Sequence, residues 1–170
     1  MNKSLKIAKE VRVRWAKEIR NWEKTNGRKF SWRENRTPYR ILIAEILLKR
    51  TTSTAAIRLY NDFLKLYPDL RSLSKAPLNE LELLIQPIGL YRQRSKQLKQ
   101  LAVYVEEHFN GILPSDYSSL IEIPGIGKYT ASSILCFSYG IRKSIVDSNV
   151  ERILVRAFSV RGKYISSVAE

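Results

Sequence analysis

LIEIPGIGKYTASSILCFSYGIRKSIVDSNVERILVR, residues 120–156, reads as a short helix, a tight glycine turn, a second helix, a loop and a third helix opening at Asp147. In Pro124-Gly125-Ile126-Gly127 the two glycines permit positive φ and let backbone N–H groups face a partner unshielded by side chains. Lys128 then falls in the first turn of a helix, where the macrodipole disfavours a cation. An external anion reverses that cost, because a helix N-terminus is already an anion site, and a nucleic-acid phosphate is the natural candidate. The Gly-Ile-Gly-Lys run is not a nucleotide-binding P-loop: Glu122 stands where the first glycine is required, and Tyr129 where Ser or Thr is. An ordinary corner between two helices remains the alternative reading of the same residues.

Two registers compete at the third helix. Ser148-Asn149-Val150-Glu151 fits a capping box, with Ser148 at the cap and Glu151 three residues on. In the other register Asp147 is itself the cap. A carboxylate held at a helix mouth after the apolar pair Ile145-Val146 would also suit stabilisation of positive charge on a sugar, and local pattern alone leaves both readings open.

The 170 residues suffice for one sizeable core, and 44% hydrophobic content excludes wholesale disorder. The net charge of +14 favours a polyanion as partner. No apolar run approaches the roughly 18 residues of a spanning helix, so no membrane is expected. Lys3, Lys6, Lys9, Arg12, Arg14 and Lys17 interrupt the N-terminal segment and argue against a signal peptide. One cysteine fits a reducing cytoplasm, and one histidine, His108, removes any multi-His metal site. His108 is expected in the last turn of a helix, as a partner of its dipole.

Along the chain, residues 3–24 show an apolar stripe at helical spacing, Leu5, Ala8, Val11, Trp15, Ile19 and Trp22, ended by Asn26-Gly27. Phe30-Ser31-Trp32-Arg33 is expected as a loop whose aromatics are buried or stack on bases. Thr37-Pro38 starts a mostly apolar helix from Tyr39 to about Arg50. Glu45 interrupts that helix and must be partnered, by an arginine for example, or act as an acid in a pocket. Thr52 or Ser53 caps the next helix, whose core face is Ala56, Leu59, Tyr60 and Phe63. Short helices over 70–74 and 78–84 follow, then a turn at Pro87-Ile88-Gly89-Leu90 and a long helix to Phe109. On that helix Arg92, Arg94, Lys96 and Lys99 are assigned to the polar side, and Leu98, Leu101, Ala102 and Val105 to the core. Pro114-Ser115 starts the next helix. The pattern predicts an all-α fold of about nine helices packed as an orthogonal array.

From about Ile19 to Phe158 the chain resembles the helix–hairpin–helix DNA glycosylase superfamily. Pro124-Gly125-Ile126-Gly127-Lys128-Tyr129-Thr130 matches the hairpin, and Val146-Asp147 the aspartate segment that follows it. Within the superfamily it is most similar to thymine glycosylases acting on G·T mismatches, through Ile43-Ala44-Glu45-Ile46-Leu47-Leu48-Lys49-Arg50-Thr51-Thr52 and Gly127-Lys128-Tyr129-Thr130. Adenine glycosylases are close cousins, as are endonuclease III-like enzymes, which carry a Schiff-base lysine at the Tyr129 position.

The resemblance implies a monofunctional enzyme of base excision repair that flips a nucleotide and hydrolyses its N-glycosidic bond. Asp147 would stabilise the oxocarbenium-like sugar and orient water, Tyr129 would line the base pocket, and Glu45 matches the glutamate that protonates a leaving adenine. Arg50 and Leu90 match two wedge positions that fill the gap left by the flipped base. Gly125, Ile126, Gly127, Lys128 and Thr130 would grip DNA phosphates. The implied partner is double-stranded DNA carrying a mismatched or damaged base, met by a monomer in the cytoplasm, at the nucleoid. An adenine glycosylase and a non-catalytic DNA-binding module are the alternatives.

Relatives continue into a Cys-x6-Cys-x2-Cys-x5-Cys iron–sulfur loop, whereas this sequence holds only Cys136, so no cofactor is expected in this chain and the fold is expected to stop before that loop. The expected organisation is an N-terminal helix and loop over 1–36, a glycosylase body over 37–158 and a tail over 159–170.

Overall fold

A computed structural model describes residues 9–158. The described residues form ten α-helices and one 3₁₀ turn, with no strand, so the all-α expectation holds. They fall into two compact units: the terminal segments, up to Lys29 and from Ser144, make one, and Phe30–Lys143 the other.

The larger unit is organised on α3 (Pro38–Leu48). Thr37 caps it, accepting from the Arg40 N–H at 3.3 Å, and Pro38 occupies the first helical position, where its missing N–H costs nothing. Ile41, Leu42, Ile43, Ala44, Ile46 and Leu47 are all buried, so this helix is apolar nearly all round and needs neighbours on every side. It is covered by α2 (Ser31–Glu34), α4 (Ser53–Leu66) and α9 (Lys128–Tyr139). The expected loop at residues 30–33 is instead the helix α2: Trp32 is buried, stacks on Phe30 at 4.5 Å and meets Tyr60 edge-on at 5.4 Å. Both rings have apolar partners inside the protein, which is why this segment coils inward. Thr52 caps α4, and Ala56, Leu59, Tyr60 and Phe63 all lie in the core as the spacing predicted. The Tyr60 hydroxyl donates to the Arg40 carbonyl, and burial pushes its pKa up to about 12, so it stays neutral.

The second support is α7 (Tyr91–Phe109), which packs on α5 (Leu70–Lys75) and α6 (Leu78–Ile85) through Leu98, Leu101, Ala102 and Val105. The 3₁₀ turn Gln86–Ile88 and a left-handed Gly89-Leu90 pair lead into it. Two of its four cations are not on a solvent face. Arg94 is 4% exposed, and Lys99 donates from Nζ to the carbonyls of Ser74 and Ala76 at the end of α5. The orphan carbonyls at helix ends draw these cations inward. His108 does lie in the last turn of α7, its ring stacked on Tyr104 and its Nδ1 2.9 Å from the Tyr104 carbonyl. The helix expected from Pro114-Ser115 begins two residues later: Asp116 caps α8 (Tyr117–Glu122) by accepting from Ser119 N–H at 2.9 Å.

The terminal unit holds α1 (Lys9–Asn26) and α10 (Ser148–Phe158), joined where Trp15 meets Phe158 edge-on at 4.9 Å. Leu5 and Ala8 of the expected N-terminal stripe lie outside the described residues, as does the tail beyond 158. Of the rest, Val11, Ile19 and Trp22 remain exposed, and no residue of α1 is buried. No described helix is long and apolar enough to cross a membrane.

Asp69 begins α5 with a capping box: it accepts from the Ser72 N–H at 2.7 Å, and the Ser72 hydroxyl closes on the Asp69 backbone. These hydrogen bonds hold the Asp69 carboxyl below its ordinary value of 3.8. A depressed folded pKa means the stabilisation is complete above the unfolded value and is lost as pH falls through the folded one. Asp69→Ala is therefore expected to lower stability by about 1 kcal/mol at neutral pH. Urea unfolding of both proteins should show that difference shrinking as the pH is taken below 3.8.

Candidate active site

The glycine turn lies between α8 and α9. Gly125 adopts φ +87°, and a Cβ there would sit 2.6 Å from Gln97 Nε2, whose amide donates to the Gly125 carbonyl at 3.0 Å. Gly127 does not share this conformation: at φ −92° and ψ 176° it is extended and serves as the N-cap of α9. Only one of the two glycines meets the expectation of positive φ. The other matters for lacking a side chain, since the cap places nothing over the first-turn N–H groups of α9. Between them Ile126 is 4% exposed and anchors the turn in the core. Lys128 is exposed at the mouth of α9, and Thr130 is buried, so it lines the packed side of that helix and does not reach outward.

Tyr129, 37% exposed, is carried on the first turn of α9. One turn later Ser133, fully buried, donates its hydroxyl to Oε1 of Glu45 on α3. Residues four apart share a helix face, so Tyr129 and the Glu45 contact lie along one stripe of α9. The half-buried Glu45 thus has a hydroxyl partner from the facing helix, which the sequence did not announce. The one trace of it in the sequence is a pair of hydroxyls, Ser132 and Ser133, between the apolar residues Ala131 and Ile134.

Arg50 and Leu90 come together as well. Both have φ 53°, a left-handed backbone that costs a non-glycine residue roughly 1–2 kcal/mol. They line one cavity of about 270 Å³ with Ile46, Lys49, Gln93, Arg94 and Gln97. Leu90 is 50% exposed, so half of this aliphatic side chain faces solvent on a strained backbone.

Asp147 belongs to the terminal unit. Its Oδ1 accepts from the N–H groups of Asn149 at 3.0 Å and Val150 at 2.8 Å, and its Oδ2 from Asn149 Nδ2 at 3.2 Å. The helix therefore takes the register in which Asp147 is the cap, and the Ser148–Glu151 box does not define its start. Backbone direction selects this register, because the Asp147 carbonyl receives the Glu151 N–H at 2.8 Å.

No group of three or more His, Cys, Asp or Glu side chains among the described residues is placed to hold a metal, and Cys136 lies half-buried on α9. A single thiol does not fit the four-thiolate set of an iron–sulfur cluster.

Residues 43–169 match the family described as HhH-GPD superfamily base excision DNA repair protein. The chain belongs to this superfamily. Among its members, a thymine/uracil-DNA glycosylase of Methanothermobacter thermautotrophicus is 39% identical over 134 residues, 79% of this chain and 61% of that protein. An adenine DNA glycosylase of Buchnera aphidicola subsp. Baizongia pistaciae is 36% identical over 153 residues, 88% of this chain and 43% of that protein. A solved thermostable thymine-DNA glycosylase superposes with a TM-score of 0.86 at 33% identity, covering 93% of this chain and 76% of the other. The chain thus spans less than two thirds of the length of these two sequence relatives.

The superfamily's hairpin rests here on one glycine whose positive φ other residues rarely adopt. Gly125→Ala is expected to cost about 1–2 kcal/mol, the penalty of a left-handed backbone. Gly127→Ala, with an extended backbone and nothing within 4 Å of its new Cβ, should cost less, only what alanine loses to glycine as an N-cap. Thermal unfolding of the two variants checks the contrast.

Proposed function

We propose that this chain is a monofunctional DNA glycosylase that hydrolyses the N-glycosidic bond of thymine or uracil mispaired with guanine in double-stranded DNA, working as a monomer. The observation that carries the reading is Tyr129: α9 presents a phenol, without an amine, at the position where lyase members of the superfamily hold a Schiff-base lysine. The 39% identity to a thymine/uracil-DNA glycosylase supports the same substrate class.

In this reading the glycosidic bond breaks with its electron pair leaving on the base, and positive charge develops on the deoxyribose. The Asp147 carboxylate stabilises that charge and orients the water that attacks C1′. The departing base takes up a proton, a role this reading gives to Glu45, to which the Ser133 hydroxyl donates. Arg50 and Leu90 occupy the space vacated in the duplex, and the Gly125–Lys128 turn holds phosphate through backbone N–H groups. Glu45 also favours a second reading, an adenine glycosylase, since the 36% identical adenine enzyme is matched over 88% of this chain.

Base release from duplexes carrying G·T, G·U, A·G and A·8-oxoguanine separates the two, and the first pair should react, leaving an abasic site in an unbroken strand. Asparagine caps a helix as well as aspartate does but carries no charge. Asp147→Asn should therefore keep its melting temperature and its duplex affinity while excision slows by roughly two orders of magnitude or more. Near-parental excision would reduce Asp147 to a cap.

Binding itself should be dominated by phosphates. Across a salt titration the log–log slope of affinity is expected at about −4 to −7, for roughly five to eight phosphates neutralised. A flat response in fluorescence anisotropy would remove DNA as the partner.

A further inference from the structure

Arg94 was expected on a solvent face and is among the most enclosed charges of the larger unit, at 4% exposure. Its Nη1 donates to the carbonyls of Ile46 at 3.2 Å and Leu47 at 2.9 Å, the last turn of α3. Its Nη2 donates to the Lys49 carbonyl and, at 2.9 Å, to the Thr51 hydroxyl. Lys49 and Thr51 are the residues on either side of Arg50. The backbone N–H of Arg94 meanwhile donates to the Leu90 carbonyl at 3.0 Å, the first hydrogen bond of α7. One residue therefore grips both flanks of one left-handed tip with its side chain and the other left-handed tip with its main chain.

Capping α3 would need only the two carbonyls of the last turn, which a point charge could serve. The second nitrogen reaches past the helix end and fixes the loop as a planar fork, which lysine cannot reproduce. Both tips are strained, exposed and border the same cavity. Strain of this kind persists only where the surroundings over-determine it, and Arg94 supplies that determination.

We propose that Arg94 is a positioning residue that sets the separation and aim of the Arg50 and Leu90 tips, so that they enter a duplex as one wedge. The proposal rests on the glycosylase reading for what the wedge does, and on the structure alone for the coupling. Arg94 touches no reacting atom. Its effect belongs to the opening of paired DNA and not to bond cleavage in a base that is already unpaired.

Two measurements test it on the full chain. Spin labels at Arg50→Cys and Leu90→Cys, in a Cys136→Ser background, report the distance between the tips by pulsed electron resonance without DNA or activity. Arg94→Lys should broaden or split that distribution. Thr51→Val, which removes one acceptor and leaves Arg94 in place, should broaden it less, and it carries the test if Arg94→Lys does not fold. In unlabelled proteins, the loss of excision from a duplex with uracil opposite guanine should exceed, by about tenfold, the loss from the same uracil unpaired in a bubble, as misplacement of a binding element implies. An unchanged distance distribution overturns the proposal, and so do equal losses on the two substrates in an otherwise active protein. A parent protein that releases no base from either substrate sinks the glycosylase reading instead, and the label distances then decide the coupling by themselves.

Discussion

A helix enclosed on every side cannot hand the carbonyls of its last turn to water. α3 is such a helix, and each buried carbonyl left without a donor costs about 1–3 kcal/mol. The guanidinium of Arg94 takes two of them, and the Thr51 N–H takes the Leu48 carbonyl at 3.2 Å. Burying a charge is itself costly, and four acceptors together with the negative end of the helix dipole offset that cost. The rest of the larger unit depends on this closure. It satisfies the carbonyls of the last turn, turns the chain through Lys49 to Thr52, and delivers Thr52 where it caps α4. It also ties the first turn of α7 to the end of α3, which no apolar contact could do with the same directionality.

Much of this was legible because it is local. Thr37-Pro38, Thr52 and the four-residue face of α4 announce themselves by chemistry confined to a few neighbours, and the structure uses them as the sequence states them. At Arg94 charge and spacing conflict: a cation suggests solvent, yet it precedes Leu98, Leu101 and Val105 at helical intervals and so shares their inward face. Only the fold reveals that carbonyls await it there. Ser133 was silent for a similar reason, because its acceptor lies on another helix, 88 residues away in sequence. The register at Asp147 and the extended backbone of Gly127 turn on chain direction, to which residue types are indifferent.

The candidate site has a similar division. Tyr129 and Glu45 are placed by the packing of α9 on α3, whereas Asp147 is placed by its own helix. Capping leaves that aspartate room for the charge stabilisation proposed for it. A carboxylate offers about four lone-pair positions. The cap draws on three contacts, two of them at one oxygen. The remaining capacity is oriented, because the oxygen that carries it belongs to a group already fixed at the mouth of α10.

The left-handed conformation at Arg50 and Leu90 bears on how such a protein can change. A side chain in a packed wall points where its neighbours allow, and replacing it disturbs them. At these two tips direction comes from the main chain, and the side chain beyond Cβ is largely free of the core. Different lengths, shapes and charges can therefore be tried at the same place and angle without refolding what lies beneath. The scaffold behaves as a holder with interchangeable bits, in which the socket is expensive to alter and the tool is not.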